Sequence, residues 1–292
     1  MKKRNLFLIF LFTLIASMMI LLLWTASAEK NAHYTPEYEQ IDLAPVLQKE
    51  EFSDADYAIL FRQTGLARTG VDELCDNGGQ EDILYLQQRL FAPIEYECRR
   101  SVFLCSSERI VEQSIVKNFL PAAQNGDILI TFSGHFFGWR SGHAGIVINA
   151  EEGQTLEAIT IGQNSQICSL NHWSEYPCFA LLRLKNTSEE ERAEIAAYAA
   201  QNLADISYEL TSFCERNPEA EGDIWGLPQK KSESDGHADS PVSGTHCAHL
   251  VWLAYRHFGY DLDSDGGYVV TPRDLYESDL LELVQIYGIS PE

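Results

Sequence analysis

Positive charge is scarce in this chain. Its 21 lysines and arginines face 43 aspartates and glutamates, for a formal charge of −22. Three of those cations, Lys2, Lys3 and Arg4, stand at the very start, so the remainder is more acidic still. Such a surface repels nucleic acid and anionic lipid, and no basic patch offsets it; nucleic acid is not an expected partner. Internal repeats and heptads are absent, which argues against solenoids and coiled coils. CxxC and HExxH, the usual marks of a zinc site, are absent as well.

What is present suffices for a sizeable core: 292 residues, 45% of them hydrophobic, predict one or two domains. The opening "MKKRNLFLIFLFTLIASMMILLLWTASA" has a basic start, an apolar run from Leu6 to Trp24, and Ala26-Ser27-Ala28. That is the layout of a secretory signal peptide over residues 1–28. The run is also long enough to span a bilayer, so an uncleaved anchor competes with it. In both cases the basic end stays inside and the remaining chain is exported, secreted or tethered to the outer face of the cytoplasmic membrane. Export changes the reading of the seven cysteines, Cys75, Cys98, Cys105, Cys168, Cys178, Cys214 and Cys247. Six can pair in an oxidising compartment and one is left over. Cys98 with Cys105 and Cys168 with Cys178 are near enough in sequence to pair easily.

Residues 29–56 read as a polar, extended lead-in. From 57 to 120 the apolar spacing predicts helices, "SSERIVEQSIVKNFL" included, with Ser107 as an N-cap. The character then turns to strand. "GDILITF", "HAGIVIN", "TLEAITI" and "FALLRLK" predict an antiparallel meander of about four strands. "TSEEERAEIAAYAAQNLAD" follows as an amphipathic helix capped by Thr187 or Ser188, with three glutamates in its first turn. Residues 215–242 are polar and aperiodic, a long loop read as a solvated insertion or a lid. The fold class is α+β: a helical N-terminal extension over 29–119, then an antiparallel sheet packed against helices over 120–292.

One thiol stands out. In "SGTHCAHLVWLAY", Thr245 reads as the N-cap and Cys247 as the second residue of an apolar helix. Unpaired amides and the helix dipole there favour a thiolate and can serve an oxyanion. Cys247 also shares a face with Val251, Ala254 and Phe258, so a plain core cysteine is an equal reading. A thiolate nucleophile needs a base. Of the eight histidines, His143 is best placed, at an accessible strand mouth after the flexible "GWRSG". An imidazole is oriented by a polar group on its other nitrogen. Glu157, the one carboxylate in "TLEAITI", needs a buried partner of its own; Thr160 is the alternative.

"GDILI…SGHAGIVI…TLEAI" followed much later by "THCAHLVWLAY" resembles the circularly permuted branch of the NlpC-type, papain-like cysteine peptidase superfamily, in particular the YiiX-like proteins and their poxvirus relatives. The resemblance covers residues 120–290. In unpermuted members the cysteine helix comes before the histidine strand; here the order is reversed. The resemblance implies a permuted papain-like fold with Cys247 as nucleophile, His143 as base and Glu157 as the orienting group. Tyr208, in "ISYEL", is similar to a tyrosine that lies near the thiolate. The implied activity is hydrolysis of an amide or ester through a thioester. The implied substrate is a peptidoglycan peptide or a lipid-like amide or ester, and no cofactor is implied.

Three other readings stand beside this one. "HCAH" with His135 offers zinc-ligand types, but neighbours on a helix diverge by about 100°. "DLDSDGGYVVTP" begins like a calcium loop, yet Pro272 stands where a bidentate glutamate belongs, so an Asp/Gly turn is expected. A non-catalytic binding module on a papain-like scaffold is the alternative function, because fold alone does not fix function. The aromatics of "HFFGWRSG" fit either a substrate groove or the core. The sequence is silent on oligomeric state.

Overall fold

The computed structural model describes residues 2–28, 33–102, 105–111, 119–136, 138–212, 242 and 244–290. The opening segment is one helix, α1 (Lys2–Ala28). Its described side chains stand largely in solvent, Phe10 and Phe12 among them. Among the described residues no helix is long and apolar enough to cross a membrane.

The lead-in is irregular apart from one turn, α2 (Ala44–Leu47), and it is held down: Leu43 and Leu47 are both buried. Three helices follow, α3 (Asp54–Thr64), α4 (Arg68–Asp76) and α5 (Gln80–Phe91). A capping box starts α3, with Ser53 and Asp56 each satisfying the other's backbone amide.

Here the chain departs from the helical expectation. Tyr96–Val102 (β1) and Cys105–Ile110 (β2) form an antiparallel hairpin, so Ser107 is a strand residue and not a helix cap. The reason is a period of two hidden among polar residues: Glu108 and Ile110 turn inward while Ser107 and Arg109 do not. Glu108 tolerates burial because Arg140 grips both its carboxylate oxygens at 2.8 and 2.9 Å. Cys98 faces Glu108 and Val102 faces Cys105, so Cys98 and Cys105 are not cross-strand partners. All six described cysteines are free thiols, Cys168 and Cys178 included; Cys214 and the 215–241 stretch lie outside the described residues.

Then come β3 (Ile128–Thr131), β4 (Gly134–Phe136), β5 (Trp139–Arg140), β6 (His143–Asn149), β7 (Gln154–Glu157), β8 (Gln166–Ser169), β9 (Phe179–Leu184), α6 (Glu189–Asn202), α7 (Cys247–Arg256), α8 (Pro272–Tyr276) and β10 (Leu281–Tyr287). Ser188, and not Thr187, caps α6. The small sheet runs β1-β2-β4-β5 and the large one β10-β9-β3-β6-β7-β8. The meander is therefore β3-β6-β7-β8, while β9 crosses to the opposite edge of β3. "TLEAITI" ends as a strand at Glu157, and β10 was not foreseen.

Both faces of the large sheet are covered, so the fold is α+β in three layers. Ile128, Ile130, Ala144, Ile146 and Leu182 point to α6 and α7. Leu129, Val147, Phe179, Leu181 and Val284 point the other way, into one cluster with Leu60, Val71, Ile83 and Leu86 of α3–α5. The helices of 29–119 thus share a core with the sheet. A buried ion pair network joins them: Arg183 on β9 bonds Asp127 at 2.7 and 2.8 Å and Glu73 of α4 at 2.6 Å. Covering both faces explains why β3, β6 and β9 read as continuous apolar runs.

Candidate active site

The turn into β6 aims a histidine inward. Gly142 has φ of +74°, and a Cβ there would lie 2.8 Å from the Thr131 carbonyl oxygen, so only glycine fits this left-handed residue. His143 follows at the first position of β6, opposite Thr131. It is buried, 6% exposed, not the accessible strand mouth expected from its flexible approach. The hairpin to β7 sets Val147 against Thr155 and Ile146 against Leu156. Glu157 thereby comes to lie over Gly145, where a Cβ would fall 2.8 Å from its Cγ.

Glu157 is fully buried and its oxygens are saturated. Oε2 accepts from His143 Nε2 at 2.7 Å. Oε1 accepts from His172 Nε2 at 2.7 Å, Trp173 Nε1 at 2.9 Å and the Thr155 hydroxyl. Burial pushes this carboxyl up, but the bonds and charges of His143 and His172 outweigh it and hold it well below the usual carboxylate range. An ionised carboxylate only accepts, so His143 carries a proton on Nε2 and presents Nδ1 elsewhere. Trp173 stacks on the imidazole at 5.6 Å and 15°, fixing the ring plane. Glu157, and not Thr160, orients the histidine.

Cys247 arrives from the opposite wall. Its helix begins one residue later than expected: His246 is the N-cap and Cys247 the first helical residue. Thr245 is engaged before the helix. Its amide donates to Ser207 O at 2.9 Å, its carbonyl accepts from Glu209 N at 2.8 Å, and its hydroxyl lies 3.1 Å from His249 Nδ1. That parallel bridge between Tyr208 and Thr245 fixes Tyr208 beside the start of α7. Burial raises the Tyr208 phenol, and the neighbouring thiolate charge raises it further.

Burial pushes the Cys247 thiol up, yet hydrogen bonding and charge from His143, then His246, bring it down to about 5. His143 is pushed down by burial and drawn up to about 9 by its bonds to Cys247 and Glu157. The two titrate as a pair, and between those values the pair is thiolate and imidazolium. His246 Nε2 has no well-formed hydrogen-bond partner, so its hold on the sulfur is the looser. Cys247, His143, His246, Tyr208 and Tyr176 line a cavity of about 840 Å³. Phe136 of "HFFGWRSG" lines it too, while Trp139 stands half in solvent.

The four residues singled out from sequence, Cys247, His143, Glu157 and Tyr208, thus meet at one place. His172 and Trp173 were missed, and His246 figured only as a zinc-ligand type. The first two sit on a 3-10 helix, Leu170–Glu175, too short to show a period. One signal existed: a buried carboxylate demands several donors, and "NHWSEY" supplies two.

His135 does not join His246 and His249. It lies on β4, with Nε2 3.3 Å from Glu108 Oε1. Among the described residues, the group suited to a metal ion is Asp263, Asp265 and Asp274, whose oxygens lie within 4.8 Å of one another. Burial pushes Asp263 up to about 6, helped by its two acidic neighbours. Asp274 also caps α8 through Thr271. The turn expected at "DLDSDGG" therefore folds back onto a third carboxylate.

No family model matches the chain. No curated protein matches it either. Among solved structures it is similar to the metalloprotein yiiX from Escherichia coli O157:H7, a DUF1105 protein. The two share 15% sequence identity at a TM-score of 0.39, over 55% of this chain and 96% of that one.

Proposed function

We propose that this chain is an exported cysteine hydrolase that cleaves an amide or ester through a thioester on Cys247. The observation that carries the reading is one arrangement: Cys247 at the head of a helix, His143 against it, and a buried Glu157 on the far nitrogen of His143. A histidine strand that precedes the cysteine helix, around an antiparallel sheet, supports a permuted papain-like reading of the fold.

In this mechanism the Cys247 thiolate attacks the carbonyl carbon, forming the S–C bond as the carbonyl π pair moves to oxygen. The first amide of α7, which lacks an intrahelical acceptor, faces the developing oxyanion. Collapse expels the amine or alcohol, which takes its proton from the His143 imidazolium. His143, now neutral, deprotonates water, which cleaves the thioester and returns the pair to its ionic state. Glu157 keeps the imidazole in one tautomer and stabilises its charge.

The substrate in this reading is a peptidoglycan peptide or a lipid-like amide or ester, cleaved outside the cytoplasm. The apolar opening segment acts as a leader or a tether. To test it, p-nitrophenyl acetate is added and the thiol is followed by peptide mass spectrometry. A burst of p-nitrophenolate with an acetyl group on Cys247, lost in Cys247→Ser and cut by about 10²-fold or more in His143→Ala, supports the reading. Absence of any acyl-enzyme removes it and leaves the binding-module alternative.

A further inference from the structure

His246 is the residue that the mechanism above leaves unused, yet it is built into the site. It is 93% buried by its 7% exposure, and it lines the same cavity as the thiol. As N-cap of α7, its Nδ1 accepts the backbone N–H of His249 at 3.4 Å. A ring nitrogen that accepts a hydrogen bond carries no proton, so the neutral ring has its proton on Nε2. That Nε2 is buried and has no hydrogen-bond partner of regular geometry. The group it does face is the Cys247 sulfur, which it helps to hold as a thiolate, so the donor stands beside the attacking atom.

From this placement, and resting on the hydrolase reading, we infer that His246 Nε2–H donates to the oxyanion of the tetrahedral intermediate on Cys247. The cap fixes the tautomer, and the tautomer fixes which atom donates. Charge on the carbonyl oxygen appears only as the S–C bond forms, so a donor held in advance beside the sulfur assists bond formation to a carbonyl specifically. When the leaving group departs, the oxygen returns to a carbonyl and the donor is released, with no proton transferred from His246.

The test separates carbonyl attack from simple thiolate reactivity. Iodoacetamide alkylates Cys247 by displacing iodide and forms no oxyanion; p-nitrophenyl acetate acylates it and does. The readout is the ratio of the two rate constants at one pH. Asparagine places an acceptor where Nδ1 was and removes the distal donor, so His246→Asn keeps the cap. Its ratio should fall about 10²- to 10³-fold, the usual loss for one oxyanion donor. Glutamine places an N–H near the Nε2 position, so His246→Gln should recover at least tenfold of that loss. Rates that fall together in His246→Asn would mean a structural role and overturn the inference, as would a ratio that collapses in Tyr208→Phe but not in His246→Asn. Should His246→Asn not fold, wild-type protein labelled with ¹⁵N at histidine decides. The hemithioacetal formed with acetaldehyde should move the Nε2–H proton of His246 downfield, and no movement overturns the proposal. A wild-type protein that alkylates but never acylates removes the hydrolase reading and this inference with it. Wild-type acylation with an unchanged ratio in His246→Asn removes this inference alone.

Discussion

Glu157 does more at the residue scale than a single orienting contact requires. Four donors converge on its two oxygens, and only one of them belongs to the proposed base. Replacing it with glutamine keeps the shape but removes the charge and turns one acceptor into a donor, which meets His, Trp or Thr donors head-on. His143 then loses the anion that holds its imidazolium, and the thiolate loses its counterion in turn. Alkylation of Cys247 at about pH 6, measured by peptide mass spectrometry, should fall about tenfold or more in Glu157→Gln. His172→Ala removes one donor and leaves the carboxylate charged. Its effect should be the smaller of the two, with the thiolate window retained. Equal effects would show that the second histidine matters as much as the charge.

The elements place these side chains through tight backbone approaches, and Gly145 is the sharpest. It lies on β6 with no unusual φ, so its need for glycine comes from packing alone: a Cβ would meet Glu157 Cγ at 2.8 Å and Trp173 at 3.2 Å. Gly145→Ala should cost about 1–3 kcal/mol, read as a lower midpoint of urea unfolding, because an overpacked site must shift its neighbours. It should also slow Cys247 labelling at neutral pH, since Glu157 is what moves. Elements with a clear period were legible. The glutamate-led helix α6 and the cysteine helix α7 show the 3.6 spacing, and the apolar run of β6 shows a strand buried on both faces. The β1–β2 hairpin was not legible, because Arg99, Arg100, Ser106 and Ser107 conceal its alternation and Glu108 is buried by virtue of the distant Arg140 and His135. The place of β9 was not legible either. Which edge a strand joins depends on what covers the two faces, and no local spacing records that. The same holds for the site. Cys247, His143 and Glu157 could be read from residue type at element starts and in apolar surroundings. His172 and Trp173 come from a short 3-10 helix, and the role of His246 depends on where the helix actually begins.

Across the whole molecule, the N-terminal helices are one wall of the core rather than an appendage. Leu60 and Ile83 are fully buried against residues of the sheet, and Arg183 reaches from β9 to Asp127 and on to Glu73 of α4. Asp127→Ala leaves the Arg183 guanidinium buried without its bidentate partner and should cost about 3–5 kcal/mol in urea unfolding. A chain begun at residue 120 should fail to give a cooperative transition, since Leu129, Val147 and Phe179 would lose their cover. A cooperative, soluble 120–292 fragment would show instead that the boundary suggested by sequence separates independent units.

If His143 makes Cys247 a thiolate at neutral pH, the rate of iodoacetamide labelling at Cys247 against pH shows it. The thiolate gains population as pH rises through about 5, and His143 holds the imidazolium until about 9. Labelling in the wild type should therefore already be fast at about pH 6, whereas in His143→Ala it should rise only toward the ordinary thiol range near about 8.5. Profiles that coincide in the two proteins, with slow labelling below the ordinary thiol range, would mean that no ion pair forms and return Cys247 to the core.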